Sequence, residues 1–174
     1  MSEQPSILLA TDFSSFSKEA ACYAAKLALC FNMSLILLHV VHDPACSPGY
    51  YLNKHSKKRL KKMSDVAHEM MQDFINELHH DSVDFAALQT LDDKTEEALI
   101  KPMLINGLPV PRILQVIQKI MPRMVVMGSH GHNPLTQLLL GSKAVQILRL
   151  SPVSVTIVKQ GHPLKDPIIN ANVP

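Results

Sequence analysis

"ILLATDFSSFSKEAACYAAKLALCFNMSLILLHVV", residues 7–41, decides the fold. The apolar run Ile7 to Ala10 gives way to Thr11-Asp12 and then to serines, the pattern of a buried strand ending in a polar turn. Ser14, Ser15 or Ser17 can cap the element that follows. Ala20, Tyr23, Ala24, Leu27, Ala28 and Phe31 then recur at spacings of three and four, which predicts an amphipathic helix over 16–31. "SLILLHVV" (34–41) is apolar on both faces, as an interior parallel strand requires. Strand, helix and strand within about 35 residues make a βαβ unit.

The pattern continues downstream. "HDPACSPGYY" (42–51) carries turn formers and reads as a loop. Leu60, Met63, Ala67, Met70, Phe74 and Leu78 keep helical spacing, a Met-rich stripe expected to face the core. "HHDS" (79–82) interrupts it. Residues 82–98 fit two patterns: Phe85, Leu88 and Leu91 suit a helix, whereas Val83, Phe85 and Ala87 alternate like a strand. Asp93 with Glu96 resembles a capping box, so the helical reading is preferred. "LIKPMLI" (99–105) reads as a strand, and Pro102, which cannot donate to a ladder, places it at a sheet edge. A proline-led helix with Ile113, Leu114, Ile117 and Ile120 follows. "MVVM" (124–127), a glycine-bearing loop, a helix over 142–150 and a last strand over 153–158 complete the order. Residues after Lys159 lack periodicity and read as a loose or partner-docked tail. Alternation of strand and helix argues for an α/β domain with an open, doubly wound, five-stranded parallel sheet and helices on both faces.

Composition excludes several functions. A chain of 174 residues, 47% apolar and 18% charged, suits one domain with a proper core. A net charge of +2 and the absence of Trp argue against a nucleic-acid partner. The basic cluster Lys54 to Lys62 reads as a solvated helix start. No run approaches the ~20 apolar residues of a membrane span, and a cytoplasmic location is expected. Cys22, Cys30 and Cys46 form no CxxC pair and read as reduced thiols. Neither His39 with His42 nor His130 with His132 has further ligands at zinc spacing, so no structural metal is expected there.

In such sheets, ligands bind beyond the carboxyl ends of the strands, where strand order reverses. Two loops fit that place: 10–15 after the first strand and 128–142 after the fourth. The second, "GSHGHNPLTQLLLGS", holds three of the chain's six glycines. Glycine lets backbone N–H groups approach an anion, and the helix opening at Ser142 adds unpaired donors. GxxxxGK[ST] and GxGxxG are both absent. Spacing alone leaves two readings open, an anion cradle and a plain loop with a helix start.

The string also resembles G-x2-G-x9-G-[ST], the nucleotide-binding signature of the universal stress protein family. "ILLATDFSSFSKEAACYAAKLA" resembles that family's first strand, acidic loop and first helix. "LILLHVV", "NGLPVPRIL" and "VSVTIVK" are similar to its second strand, its third-helix entry and its closing strand. The resemblance implies strand order 3-2-1-4-5 in an adenine nucleotide alpha hydrolase-like sheet, and a universal stress protein domain over 1–160 with a helical insertion at 82–98 and a tail over 161–174. It further implies a homodimer joined through the last strand, about Val153 to Val158.

The resemblance also implies ATP with Mg²⁺, or less readily Mn²⁺, as the cofactor. By position, Ala10, Thr11 and Asp12 would face the nucleoside and Val40 the adenine. Met127 and Gly128 would lie by the ribose and first phosphate, and His130, Gly131, Gly141, Ser142, Lys143 and Ala144 would line the phosphates. Arg123, Lys143, Val145 and Ser154 depart from the residues usual there. Lys143 suits either a phosphate contact or solvation. The function expected is a nucleotide-dependent regulatory module in stress response, with an unidentified protein partner and no assigned catalytic residue. A slow ATP- or AMP-hydrolysing enzyme and a dimeric interaction protein with a vestigial site are the alternatives.

Overall fold

Five buried residues of β1 (Ser6–Ala10) and seven of the eight in β2 (Ser34–Val41) form the middle of the sheet. The computed structural model describes residues 5–42, 54–92, 99–131 and 140–159. The remaining elements are α1 (Ser15–Phe31), α2 (Lys54–Asp81), α3 (Val83–Asp92), β3 (Ile100–Asn106), α4 (Pro109–Ile120), β4 (Met124–Gly128), α5 (Ser142–Leu150) and β5 (Ser154–Val158). All four strand pairings are parallel, in the order β3-β2-β1-β4-β5. This is the doubly wound sheet expected from the alternating pattern.

Pro102 illustrates how sequence and topology agree. Leu35 donates its N–H to Leu99 O and Gly107 donates its N–H to Val41 O, so odd-numbered residues of β3 turn their backbone groups to β2. Pro102 is even-numbered and faces the open edge, where its missing N–H removes no rung.

Side-chain alternation splits the core in two. Ile7, Leu9, Leu35 and Leu37 meet α1, α2 and α3 on one face. Leu8, Ile36, Leu38, Val125 and Met127 meet Ile113 and Ile117 of α4 and Ile147 of α5 on the other. Helix α1 approaches closely because its buried face is almost all alanine: Ala20, Ala21, Ala24, Ala25 and Ala28. Ser14 is its N-cap, accepting from the Ser17 N–H. Asn32 closes it in the left-handed conformation, which asparagine tolerates better than most residues.

The core stripe of α2 is displaced from the expected one. Ala67, Met71, Phe74 and Leu78 are buried, whereas Met70 is 42% exposed. Both methionines satisfy a spacing of three or four from a neighbour, so periodicity alone does not separate them; packing selects the 4-3-4 series from Ala67. The side chain of Leu60 lies outside the described residues. At Ser82 the helix breaks and restarts: Ser82 N–H still donates to Leu78 O, while its hydroxyl accepts from the Phe85 N–H and caps α3. The helical reading of this segment holds for Val83–Asp92. Its expected capping box at Asp93 and Glu96, the loop from 43 to 53, Cys46, and the tail after Lys159 lie outside the described residues.

Cys30 is exposed and Cys22 half-buried, both as free thiols. Burial raises the Cys22 pKa; a hydrogen bond with Ser82 opposes that shift, and Asp81 and Asp84 reinforce it.

Phe85 of α3 is fully buried against the α1 face. Phe85→Ala is expected to lower the unfolding free energy by about 3–5 kcal/mol in urea denaturation. A loss below about 1 kcal/mol, typical of a surface site, would show that α3 is not part of the core.

Candidate functional site

Strands β1 and β4 end side by side, with Ala10 opposite Met127. The connections after β1 run over one face of the sheet and those after β4 over the other, so no crossover covers the gap between their carboxyl ends. The loop beginning at Thr11 and the loop beginning at Ser129 border that gap.

Asp12 is fixed in place by the serines that follow it. Its Oδ1 accepts from the Ser14 N–H (3.1 Å), the Ser14 hydroxyl (2.6 Å) and the Ser17 hydroxyl (2.7 Å), and its own N–H donates to Ser17 Oγ (3.2 Å). A carboxylate held by several donors has little rotational freedom and keeps its negative charge where the loop puts it. Phe13 takes a positive φ of 64°, which is unfavourable for a non-glycine residue. Its ring offsets this by stacking on His39 at 4.2 Å and meeting the edge of Phe74 at 5.5 Å.

The three glycines of the signature do different jobs. A Cβ on Gly128 would lie 3.0 Å from the backbone of Phe16, so this glycine admits the start of α1 against β4. A Cβ on Gly131 would lie 2.5 Å from Asp12 Oδ2, so this one lets the two loops meet across the gap. Gly141 has only moderate crowding (Ser129 O at 3.3 Å), and its N–H donates to Ser129 O at 2.8 Å. That N–H is therefore committed to a protein acceptor, contrary to a simple phosphate-donor role. Gly141 is also the N-cap of α5 and offers no side-chain cap. The first-turn N–H groups of Ser142, Lys143 and Ala144 have no intrahelical acceptor and sit at the positive end of the helix dipole.

A second polar edge comes from β2. Thr11 N–H donates to Leu38 O at 2.9 Å, the last rung beyond β1. The next rung in register would join Val40 N–H to Thr11 O, the carbonyl that His39 Nδ1 also meets at 2.9 Å. Facing a carbonyl, Nδ1 must carry the proton. Backbone groups of alternate residues point to opposite neighbours, so Val40 presents its N–H and C=O past the end of β1, into the gap.

All twelve residues expected from the sequence line one cavity of about 820 Å³: Ala10, Thr11, Asp12, Val40, Met127, Gly128, His130, Gly131, Gly141, Ser142, Lys143 and Ala144. His130 rests its ring 5.2 Å from Phe16 and its Nδ1 3.0 Å from Ser129 Oγ. The lining also includes residues that pattern reading did not select: His39, Met63, Val66 and Met70 on one side, Pro109 and Ile113 on the other. Lys62, expected as part of a solvated helix start, is exposed yet also borders the cavity. The signal for the α2 residues was the second apolar stripe 63-66-70, hidden beside the core stripe.

A model of the universal stress protein family matches residues 5–159. The chain belongs to the universal stress protein family. It is 25% identical over 162 residues to the universal stress protein MJ0577 of Methanocaldococcus jannaschii, covering 88% of this chain and 94% of that one. Among solved structures, the universal stress protein UspA from Lactobacillus plantarum shares the fold with a TM-score of 0.67 at 19% identity, over 91% of this chain and 99% of the other. The universal stress protein from Archaeoglobus fulgidus solved in complex with dAMP superposes with a TM-score of 0.54 at 16% identity, over 91% of this chain and all (100%) of the other.

The unequal surroundings of Gly128 and Gly131 separate fold from site. Gly128→Ala is expected to destabilise the protein by about 1–3 kcal/mol, as overpacking against backbone does. Gly131→Ala would meet the Asp12 carboxylate rather than backbone, and a shift of its half-exposed loop relieves that contact, so the smaller loss, about 1 kcal/mol, is expected there. Equal losses in urea titrations of the two variants would contradict this division.

Proposed function

We propose that the cavity binds an adenine nucleotide, ATP with Mg²⁺, and that its occupancy serves regulation in stress response through the protein's associations. The observation that carries this reading is the start of α5. Three N–H groups and a helix dipole, with no side chain on the N-cap residue Gly141, open into a cavity that also holds a fixed carboxylate and the end of strand β2. Helix N-termini of this kind favour phosphate. The volume of about 820 Å³ falls within the range usual for small-molecule sites, roughly 300–1,000 Å³. The Archaeoglobus relative solved with dAMP supports an adenine nucleotide as the occupant.

In this reading Ser142, Lys143 and Ala144 take the phosphates, with His130 and Gly131 beside them. Asp12 Oδ2 accepts from the ribose hydroxyls, and Val40 N–H and C=O pair with the adenine edge. Mg²⁺ supplies charge neutralisation for the polyphosphate. Among the described residues no three His, Cys, Asp or Glu side chains gather into a metal site, and a Mg²⁺ carried in on the nucleotide would be held chiefly by phosphate and water.

Association through β5 is the second part of the proposal. β5 is an edge strand, and Leu148 and Leu150 of the preceding helix α5 are 48% and 60% exposed. Ser129 N–H donates to Val158 O, so even-numbered residues of β5 face β4 while Val155 and Ile157 present their backbone to the open edge. An apolar open edge invites pairing with a second copy.

Two measurements test these claims. At 100-fold excess over Kd, ATP·Mg²⁺ contributes about 2.7 kcal/mol, a rise in Tm of roughly 5–10 °C for a chain of this size. Ser142→Pro should remove most of that rise, by taking away one first-turn donor and its hydroxyl. Absence of any shift in the wild type would overturn the nucleotide reading, and steady ADP release removed by Asp12→Ala would replace regulation with catalysis. Val155→Pro, which leaves the β4–β5 rungs intact, should convert a dimer to a monomer in sedimentation velocity. An unchanged dimer would place the interface elsewhere.

A further inference from the structure

Phe13 holds a backbone conformation that its side chain does not favour. Its φ of 64° lies in the left-handed region, where a bulky residue is an outlier and glycine sits without strain. What phenylalanine adds at this turn is a ring, and the ring has aromatic neighbours from two different elements. His39 of β2 stacks on it, with centroids 4.2 Å apart and planes inclined by 26°. Phe74 of α2 meets it edge-on at 5.5 Å. Phe74 is only 2% exposed and belongs to the core on the α1 face, so the interior of the protein holds the ring.

Asp12 stands between this anchored residue and a second one. Thr11 donates its N–H to Leu38 O, its carbonyl meets His39 Nδ1, and its hydroxyl accepts from the Phe13 N–H at 3.0 Å. The left-handed turn at Phe13 brings the Ser14 and Ser17 donors back onto Asp12 Oδ1. Oδ2 is then the oxygen on the Gly131 side. The serines fix the carboxylate relative to the start of α1. The Phe13 ring fixes the same loop relative to β2 and α2. His39 serves both anchors, its ring carrying the stack and its Nδ1 the Thr11 carbonyl.

We infer that Phe13 is a positioning residue for the Asp12 carboxylate, and that its ring, clamped between His39 and Phe74, sets how well the site holds the ribose hydroxyls. The inference rests on the nucleotide reading above and deepens it. Asp12 lines the cavity and Phe13 does not, so Phe13 acts through its neighbour. A hydroxyl bound to a carboxylate is a short contact, and a displacement of about 1 Å is enough to lose it. Phosphate and base contacts come from other elements and do not depend on this loop.

Isothermal titration of ATP and of 2′,3′-dideoxy-ATP, each with Mg²⁺, into the full chain tests this. The wild type should prefer ATP about 10-fold, as hydrogen bonds to a charged group do. Phe13→Asn keeps the left-handed turn without the ring, and Phe13→Gly relaxes it further. Both should cut the preference below about threefold by weakening ATP, with dideoxy-ATP changed less than about twofold. Phe13→Tyr keeps the ring and should keep the preference. Should the ringless variants melt early, Phe13→Leu retains apolar bulk without a stacking face and should show the same reduced preference. A full preference in folded Phe13→Asn overturns the inference. An equal loss for both nucleotides overturns it as well, by making the ring a support of the whole cavity. If the wild type binds the two nucleotides equally, Asp12 does not meet the ribose, and the inference falls while nucleotide binding stands. If it binds neither, both fall.

Discussion

With no side chain at Gly128, the first turn of α1 lies directly against the end of β4. Everything at the site follows from that approach. It brings Ser14 and Ser17, at the start of α1, to the strand pair where the chain order reverses. Those serines in turn orient Asp12 through three donors on one carboxylate oxygen. The other oxygen then faces Gly131, whose missing Cβ lets the second loop close in. A bulkier residue at 128 would push α1 away, and the carboxylate would go with it.

The cavity formed in this way separates chemistry by position. Positive potential from uncapped N–H groups sits at the start of α5, and fixed negative charge sits on the Asp12 loop. Val40, near the end of β2, turns its backbone groups to the side where β1 has already ended, and His39 Nδ1 meets the neighbouring Thr11 carbonyl. Apolar surface from α2 and α4 flanks that edge. A nucleotide has the same distribution: charged phosphates, a ribose with hydroxyls, and a base with apolar faces and a polar rim. The two ends differ in what fixes them, since the polar end depends on loop hydrogen bonds and the apolar end on helix packing.

Much of this was open to reading from the residues. The βαβ unit, the edge position of Pro102 and the serine cap are local consequences of propensity and hydrogen-bonding capacity, which sequence displays directly. All twelve candidate residues come to one cavity because the signature and the Asp12 loop lie at the ends of neighbouring strands. Three things were not readable. Met70 and Met71 satisfy the same helical spacing, and only the tertiary contact decides that Met71 is core. Gly128 and Gly141 look like phosphate-approach glycines, but one accommodates Phe16 and the other gives its N–H to Ser129. Finally, no pattern in α2 reveals that its second stripe borders the cavity, because that depends on where the elements lie in space.

The most direct measurement is amide NMR of the uniformly labelled chain titrated with ATP·Mg²⁺. The structure predicts large shifts for the Ser142, Lys143 and Ala144 amides and for Val40, with Met121 at the opposite end of the sheet unchanged. Saturation without movement of the α5 amides would contradict the phosphate placement, and with it the site described above.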